Sequence, residues 1–247
     1  DVHAIFAKKA VKIDPDIKSV FLDDSTAVEY DKLLVATGSS PFIPDILGLD
    51  KVNDMHTFMT LDDAKSLLDC VTSQSRILIL GAGLIGLKCC EGIKDKVSFV
   101  TVIDMAKQVL PSILDKESSD IVTDYLLKQG VNIKLSCSVK QAYENSALLT
   151  DETTIEFDTL VIAVGVRPNI SILKAAKADT DRGVLIDEHC KTSIEDIYAA
   201  GDCTQGYDVT VNNKRVLALL ANAYMQGFTA GVNMAGNEAS FNTGMPM

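Results

Sequence analysis

Three glycines, Gly81, Gly83 and Gly86, follow a short apolar run at the spacing G-x-G-x-x-G. In such a loop the first glycine permits a tight turn, the second lets a pyrophosphate approach the backbone, and the third lets the next helix pack closely on the sheet. The pyrophosphate would accept hydrogen bonds from unpaired N–H groups at the helix start, around Leu84 and Ile85. The pattern indicates a dinucleotide site. The alternative is a glycine-rich turn between a strand and a helix, without a ligand.

A second apolar run ends at Asp104, about 20 residues after the glycine loop, where dinucleotide sites carry an acid. We expect Asp104 to accept hydrogen bonds from the hydroxyls of the adenosine ribose. Its carboxylate would repel a 2′-phosphate, and only Lys107 follows closely, without an arginine. The sequence therefore favours NADH over NADPH.

The composition limits the classes of protein to which the chain can belong. The chain has 247 residues, of which 47% are hydrophobic and 23% charged, as in one or two globular domains with real cores. The net charge of −11 argues against a nucleic-acid partner, because phosphates would be repelled. No signal peptide and no apolar run of membrane-spanning length is found, which predicts a cytoplasmic protein without a membrane partner. The chain begins with Asp1 and not with Met, so we expect an internal piece of a longer protein.

Six cysteines are present, and none of them has a C-x-x-C partner. The spacing therefore indicates neither a metal clip nor a redox disulfide, and it favours small buried side chains in a reducing compartment. The three histidines are scattered along the sequence and suggest no ligand cluster. We predict no metal site from the sequence.

Periodicity and capping signals predict the elements around the glycine loop. We expect strands over 76–80 and 98–104 with a helix over about 83–94 between them, and Thr60 followed by Asp63 resembles a capping box that opens a helix reaching about residue 70. A second amphipathic helix should end before Gly130. Strands that alternate with helices around a glycine loop indicate an α/β fold with a parallel, doubly wound, Rossmann-like sheet.

Four sequence blocks occur in the order found in one superfamily. They are Tyr30–Gly38, the loop Gly81–Gly86, Thr159–Asn169 and Ile197–Asp202. With these blocks the chain resembles the flavin- and pyridine-nucleotide-dependent disulfide oxidoreductases. The segments Gly81–Glu91 and Asn222–Gly236 are similar to a narrower group, the NAD(FAD)-dependent dehydrogenases. That group includes NADH oxidases, NADH:rubredoxin reductases and the flavin part of nitrite reductase large subunits.

The resemblance implies an FAD-binding domain, residues 1–72 and 166–247, interrupted by an NAD(H)-binding domain, residues 73–165. It implies that five residues lie near the FAD: Ala36, Thr37, Gly38, Gly201 and Asp202. Asp202 would hydrogen-bond the ribityl and pyrophosphate region. Gly165 would lie beside the bound NADH, since the missing Cβ leaves room there.

The resemblance also implies an activity. An NADH-dependent flavoprotein oxidoreductase of this group passes hydride from NADH to FAD and then electrons to an acceptor: rubredoxin, a nitrite or sulfite reductase module, oxygen or a disulfide. The flavin carries the redox chemistry, so no side chain is predicted as a catalytic acid or nucleophile. The alternatives are a non-catalytic NAD(H)-binding module, or an interaction scaffold without cofactor. The full-length protein would be a possible homodimer.

Two features depart from the family pattern. Lys88 stands where the family often has Glu near the nicotinamide, and a cation cannot accept a hydrogen bond from the carboxamide; an ordinary exposed helix lysine is the other interpretation. The family's first FAD-binding glycine loop, its redox cysteine and its C-terminal dimerisation domain are not found in these 247 residues. We therefore expect this piece alone to be flavin-free and inactive.

Overall fold

The structure is a computed structural model and describes residues 2–245. The strands are β1 Ala10–Asp14, β2 Ser19–Leu22, β3 Ala27–Glu29, β4 Leu33–Val35, β5 Ser39–Pro41, β6 Met55–Thr57, β7 Arg76–Leu80, β8 Phe99–Ile103, β9 Asn132–Lys134, β10 Val139–Ala142, β11 Ser146–Leu149, β12 Thr154–Glu156, β13 Thr159–Ile162, β14 Val166–Pro168, β15 Val184–Leu185, β16 Ile197–Ala199, β17 Thr204–Asp208 and β18 Asn213–Val216. The helices are α1 Leu61–Cys70, α2 Leu84–Ile93, α3 Lys116–Lys128, α4 Ser171–Ala175 and α5 Leu220–Met234, with a short 3₁₀ helix over Leu49–Lys51.

The chain folds into two compact units. One unit is the continuous segment Pro41–Val166. The other combines the residues up to Ser40 with those from Arg167 onward. The central unit contains the glycine loop, and the discontinuous unit contains the sequence blocks that end at Gly38 and Asp202.

The central unit is built on a five-stranded sheet in the order β6-β13-β7-β8-β9, and every pair in it is parallel. Helix α2 connects β7 to β8, and α3 connects β8 to β9. This is the β-α-β-α-β arrangement that the glycine loop predicts. The parallel Rossmann-like sheet expected from the sequence is thus observed.

The two faces of this sheet are covered differently. Ile77 and Ile79 of β7 point into a core shared with all three helices of the unit, whereas Leu78 and Leu80 point into a second core. That second core is closed by the antiparallel sheet β10-β11-β12, with Phe157 completely buried. Successive strand residues alternate between faces, so a continuous apolar run is required where both faces are buried. The sequence pattern does not indicate that strands cover the second face.

Local capping explains where α1 begins. The Thr60 hydroxyl accepts a hydrogen bond from the Asp63 N–H at 3.1 Å, and the Asp63 carboxylate accepts one from the Thr60 N–H at 3.1 Å. This is the reciprocal capping box predicted from the sequence. It fixes the first turn of α1 after β6.

The discontinuous unit contains smaller sheets. Strands β1-β2-β3 form an antiparallel sheet, β16 pairs in parallel with β4, and β15-β17-β18 form a third sheet. Helix α5 ends before Gly236, whose φ of 85° is typical of a glycine that closes a helix. The parallel pairing of β4 with β16 brings the ends of two predicted flavin-binding blocks side by side.

Candidate functional site

Gly81 is required by the geometry of the turn that follows β7. Its φ is 109°, a value that side chains with a Cβ rarely adopt. A Cβ built there would lie 2.3 Å from the carbonyl oxygen of Ala163, which directly follows β13, the strand paired with β7. The turn is therefore restricted to glycine by sterics alone, independent of any ligand.

Gly86 lets α2 pack closely on the glycine loop. A Cβ at this position would lie 2.0 Å from the Gly81 carbonyl oxygen and 3.4 Å from the Ala163 Cβ. This matches the packing role expected from the third glycine of the pattern. Two of the three glycines thus serve the fold.

Gly83 has no such structural reason to be glycine. Its φ is −79°, and a Cβ there would meet nothing within 4 Å. Gly83 is the N-cap of α2, no side chain caps this helix, and no acid lies in its first turn. The backbone N–H groups of Leu84 and Ile85 open the helix, where unpaired donors and the dipole favour an anion. The free space in front of the loop fits a pyrophosphate.

Asp104 lies directly after β8 and takes a role that the sequence did not reveal. Its carboxylate accepts hydrogen bonds from the Ala82 N–H at 2.6 Å and from the Ala106 N–H at 2.7 Å. One oxygen serves each donor, so each retains a further lone pair for a ribose hydroxyl. Asp104 therefore shapes the glycine loop and still offers acceptors. Ala82, which sequence analysis did not single out, is part of this arrangement through its backbone.

Gly165 lies beyond the end of β13, which is the neighbour of β7. Its φ is 112°, and a Cβ there would meet nothing within 4 Å. The glycine loop, Asp104 and Gly165 all follow the carboxyl ends of adjacent parallel strands. This edge of a parallel sheet is where α/β proteins bind nucleotides. The residues predicted to contact NAD are thus brought to one edge of the central unit, and their geometry fits a dinucleotide.

In the discontinuous unit, the block Ala36-Thr37-Gly38 follows β4. The Thr37 hydroxyl donates to the Asn169 carbonyl oxygen at 2.7 Å, and the Asn169 amide donates to the Thr37 carbonyl oxygen at 2.9 Å. Gly38 has a φ of 65°, and a Cβ built there would meet no atom within 4 Å. Ala36 and Thr37 are exposed. The turn is held by Asn169 and leaves its backbone accessible to a ligand.

Gly201 and Asp202 follow β16, next to the end of β4. The Gln226 side-chain oxygen accepts a hydrogen bond from the Gly201 N–H at 2.7 Å and another from the Thr204 hydroxyl at 3.0 Å. The Ser39 hydroxyl donates to the Asp202 carboxylate at 3.0 Å, which orients the acid.

The two predicted flavin-binding blocks therefore meet in this unit, and their small residues and oriented carboxylate fit part of a flavin nucleotide. Gln226 lies within the segment Asn222–Gly236, and its contacts become visible only in the structure.

Lys88 is an exposed residue on α2. Its ammonium forms an ion pair with Glu91 at 2.7 Å, and 66% of its side chain is exposed. This agrees with the interpretation of an ordinary helix lysine. A surface pair of this kind contributes little to stability.

The cysteines of α2 are not placed for redox chemistry. Cys89 and Cys90 are completely buried, and burial raises the pKa of the Cys89 thiol to about 12 and that of Cys90 to about 11. A raised pKa suppresses the thiolate that redox exchange requires. Cys70 is the exposed cysteine of the six, and the other five are buried.

Across residues 2–245, no helix combines the length and the apolar character needed to cross a membrane.

The fold and the strand-end site define a Rossmann-like nucleotide-binding protein. More specifically, the chain belongs to the pyridine nucleotide-disulphide oxidoreductase family, whose family model matches residues 1–227. The resemblance inferred from the four sequence blocks is thereby confirmed.

Relatives and solved structures agree with this assignment. The chain is 35% identical over 220 residues to an NADH oxidase from Methanocaldococcus jannaschii, covering 87% of this chain and 49% of the relative. It is 33% identical over 235 residues to the NADH-dependent phenylglyoxylate dehydrogenase subunit epsilon of Aromatoleum evansii, covering 93% and 55%. The structure of a water-forming NADH oxidase from Lactobacillus brevis bound to NADH superposes with a TM-score of 0.88 at 27% identity, covering 95% and 54%. The chain thus spans about half the length of the curated relatives that it matches.

Proposed function

We propose that this chain supplies the NADH-binding domain and part of the FAD-binding domain of an NADH-dependent flavoprotein oxidoreductase. The observation that carries the proposal is the position of Gly83, where the fold leaves free space in front of an uncapped helix start. Gly81 and Gly86 are explained by packing, whereas Gly83 is the N-cap of α2, where the open space and the absence of a capping side chain suit an anionic ligand. Family membership supports a nicotinamide nucleotide as that ligand.

The chain's own groups would hold the nucleotide as follows. The N–H groups at Gly83, Leu84 and Ile85 donate to the pyrophosphate, assisted by the dipole of α2. Asp104 accepts from the adenosine ribose, and Gly165 leaves room for the nucleotide beside β13. The negative charge of Asp104 disfavours a 2′-phosphate, so NADH is preferred to NADPH.

For FAD, the proposed contacts are Ala36, Thr37, Gly38, Gly201 and Asp202. The Asp202 carboxylate, oriented by its bond from the Ser39 hydroxyl, accepts a hydrogen bond from a flavin hydroxyl. The small residues let the backbone approach the cofactor. The other contacts of the flavin are expected from parts of the family fold that these residues do not contain.

When bound, the nicotinamide supplies a hydride and the flavin accepts it, so the protein contributes position and electrostatics. No side chain described above is assigned as an acid, base or nucleophile. The electrons would pass to a redox protein or to a small acceptor. A cytoplasmic location and a homodimer of the full-length protein remain part of the proposal.

The test compares two Gly→Val substitutions on the same segment. Gly83→Val places a side chain where the pyrophosphate would lie, whereas Gly92→Val places one on α2 where a Cβ meets nothing within 4 Å. Loss of two charge-assisted hydrogen bonds, each about 1.5–3 kcal/mol, lowers NADH affinity by about 10²-fold or more. Gly92→Val should bind NADH like the wild type.

Calorimetric titration with NADH measures both variants, and thermal unfolding checks that each is folded. Losing glycine at the N-cap costs up to about 1 kcal/mol, so Gly83→Val should remain folded. Equal heats from wild type and Gly83→Val, or heat from neither, would contradict the proposed site. Failure to bind either nucleotide would favour the interaction scaffold.

A second function is a non-catalytic NAD(H)-binding module, the alternative that rests on Lys88 standing where the family often has Glu. Its ammonium is exposed and engaged with Glu91, and it offers no acceptor to a carboxamide. The two functions differ in turnover by the full-length protein. Consumption of NADH with a dye acceptor supports the oxidoreductase, and tight NADH binding without turnover supports the module.

A further inference from the structure

Three side chains of the central unit converge between β6 and α1. The His56 Nε2 atom lies 2.9 Å from the Asp54 Oδ1 atom and 3.3 Å from the Cys70 Sγ atom. All three donor atoms lie within 4.8 Å of one another. Asp54 lies in a bend directly before β6, His56 lies in β6, and Cys70 is the last residue of α1. The cluster cannot be predicted from spacing in the sequence, because Cys70 is 14 residues from His56 and only the fold brings them together.

The arrangement differs from a nucleophile relay. In such a relay the histidine uses one ring nitrogen for the nucleophile and the other for the acid. Here Nε2 faces both Cys70 and Asp54, while Nδ1 lies 3.4 Å from the Ser66 hydroxyl. The three ligand atoms instead lie close enough together to bind one ion.

Their separations are close to those of a tetrahedral zinc site. Zinc bonds of about 2.3 Å to sulfur and about 2.0–2.2 Å to nitrogen and oxygen place tetrahedral ligand atoms roughly 3.4–3.6 Å apart. The observed 2.9 and 3.3 Å require the two pairs that include His56 to separate by only a few tenths of an ångström, and the Asp54 and Cys70 ligand atoms lie within 4.8 Å of each other. A mixed set of sulfur, nitrogen and oxygen ligands suits zinc. It does not suit Ca²⁺ or Mg²⁺, which prefer oxygen ligands alone.

The surrounding groups would orient these ligands. The Thr159 hydroxyl donates to the second Asp54 oxygen at 2.6 Å, leaving Oδ1 for the metal. Ser66 lies against the ring nitrogen of His56 that faces away from the cluster. Such outer contacts fix the tautomer and direction of metal ligands. Cys70 is exposed, so an ion has a path of entry and water can complete the coordination.

We propose that Asp54, His56 and Cys70 bind one Zn²⁺ ion, with water as the fourth ligand. The ion joins β6, at the edge of the five-stranded sheet, to the end of α1. Binding releases the thiol proton, because a coordinated thiol is deprotonated by the charge of the metal. The free energy of zinc binding adds to the stability of the folded state. Strand β13 separates β6 from the strand that carries the glycine loop, so the site is independent of the proposed nucleotide function.

Cobalt is the probe, because a thiolate bound to Co²⁺ gives a charge-transfer band in the near ultraviolet. Titration of the metal-free 247-residue chain should give this band at one equivalent, and Zn²⁺ should displace it. Cys70→Ser and His56→Gln should each weaken binding by at least about 10- to 100-fold, the loss known for outer contacts alone. His189→Gln, which changes a partly exposed histidine outside the cluster, should leave the titration unchanged.

A second measurement uses only the wild type, so it does not depend on folding of the variants. Iodoacetamide should alkylate Cys70 selectively, since the other five cysteines are buried, and one equivalent of Zn²⁺ should slow the reaction. Absence of the cobalt band in the wild type would overturn the proposal. So would an equal band in Cys70→Ser, or an alkylation rate that Zn²⁺ does not change.

Discussion

The Asp104 carboxylate accepts a hydrogen bond of 2.6 Å from the backbone N–H of Ala82, which precedes it by 22 residues. Ala82 lies inside the glycine loop after β7, and Asp104 directly follows β8. The acid that is expected to recognise the ribose therefore also holds the loop that is expected to hold the pyrophosphate. The Asp104 side chain thus links the conformation of the glycine loop to the expected preference for NADH over NADPH.

This coupling predicts different results for two substitutions at position 104. Asp104→Ala removes the acceptor of the Ala82 and Ala106 N–H groups, so the free energy of unfolding should fall by about 1–3 kcal/mol and NADH binding should weaken. Asp104→Asn keeps one acceptor oxygen but loses the charge that repels a 2′-phosphate. The ratio of the NADPH and NADH dissociation constants should therefore move toward one. Denaturant unfolding and calorimetry measure both effects; an unchanged ratio in Asp104→Asn would refute the role in cofactor choice.

The third glycine of the loop should be required for folding. A Cβ at Gly86 would lie 2.0 Å from the Gly81 carbonyl oxygen, which is backbone and cannot rotate away. Gly86→Ala should therefore lower the free energy of unfolding by at least about 1–3 kcal/mol, the range for overpacking.

Gly92→Ala is the matched control for Gly86→Ala. It lies on the same helix with no atom near its Cβ, and it should raise stability by about 0.5–1 kcal/mol. Denaturant midpoints compare the two variants. Similar stability of Gly86→Ala and wild type would show that α2 can move away from the loop.

Local signals in the sequence were sufficient to place the glycine loop and its flanking elements. The expected strand over 76–80 is observed, and the helix expected over about 83–94 runs over Leu84–Ile93. The capping box of α1 was also predicted, because both of its hydrogen bonds join residues three apart. Such features depend on neighbours in sequence, where spacing is informative.

Features that depend on distant residues could not be predicted in this way. The antiparallel sheet over the second face, the bond from Ala82 to Asp104 and the convergence of His56 with Cys70 each join segments that only the fold brings together. The histidine and the cysteine are 14 residues apart, on a strand and at the end of a helix. Metal-ligand motifs are recognised in a sequence by short, fixed spacings within one helix, strand or loop, and this pair has no such spacing.

Gln226 should stabilise the turn that contains Gly201 and Asp202. Its side chain is 1% exposed, and its oxygen accepts bonds from the Gly201 N–H and the Thr204 hydroxyl. Gln226→Leu keeps the approximate volume but removes the acceptor of the partly buried Gly201 N–H, whereas the Thr204 hydroxyl can still donate to the Gly201 carbonyl oxygen at 2.8 Å. The free energy of unfolding should fall by about 1–3 kcal/mol.

The adjacent Met225 provides the control for Gln226. Met225 is 46% exposed on the same helix, so Met225→Ala should change stability by no more than about 0.5 kcal/mol. Denaturant unfolding of the two variants isolates the buried contacts from any general effect on α5. An equal loss in both variants would show that the helix, and not the hydrogen bonds of Gln226, determines the result.

Asp158 should make stability depend on pH in the acid range. The Arg76 guanidinium and the Arg76 backbone N–H donate to its carboxylate, at 2.9 and 2.7 Å, and hold the pKa of Asp158 below its ordinary value. A carboxylate with a lowered folded-state pKa stabilises the protein above the unfolded pKa of about 3.9. That contribution is lost as the pH falls through the folded-state value. Because the group is partly exposed, we expect only about 1 kcal/mol at neutral pH.

Asp158→Asn removes this dependence. Wild type should be more stable than Asp158→Asn at pH 7, and the two stability curves should converge as the pH falls below about 4, because protonation removes the same charge in the wild type. Glu156 also contacts Arg76, but its side chain is 73% exposed, so Glu156→Gln should follow the wild-type curve closely. Urea unfolding at a series of pH values measures all three proteins. A difference between wild type and Asp158→Asn that persists undiminished at the acid end would show that the backbone contact, and not the charge, is what Asp158 contributes.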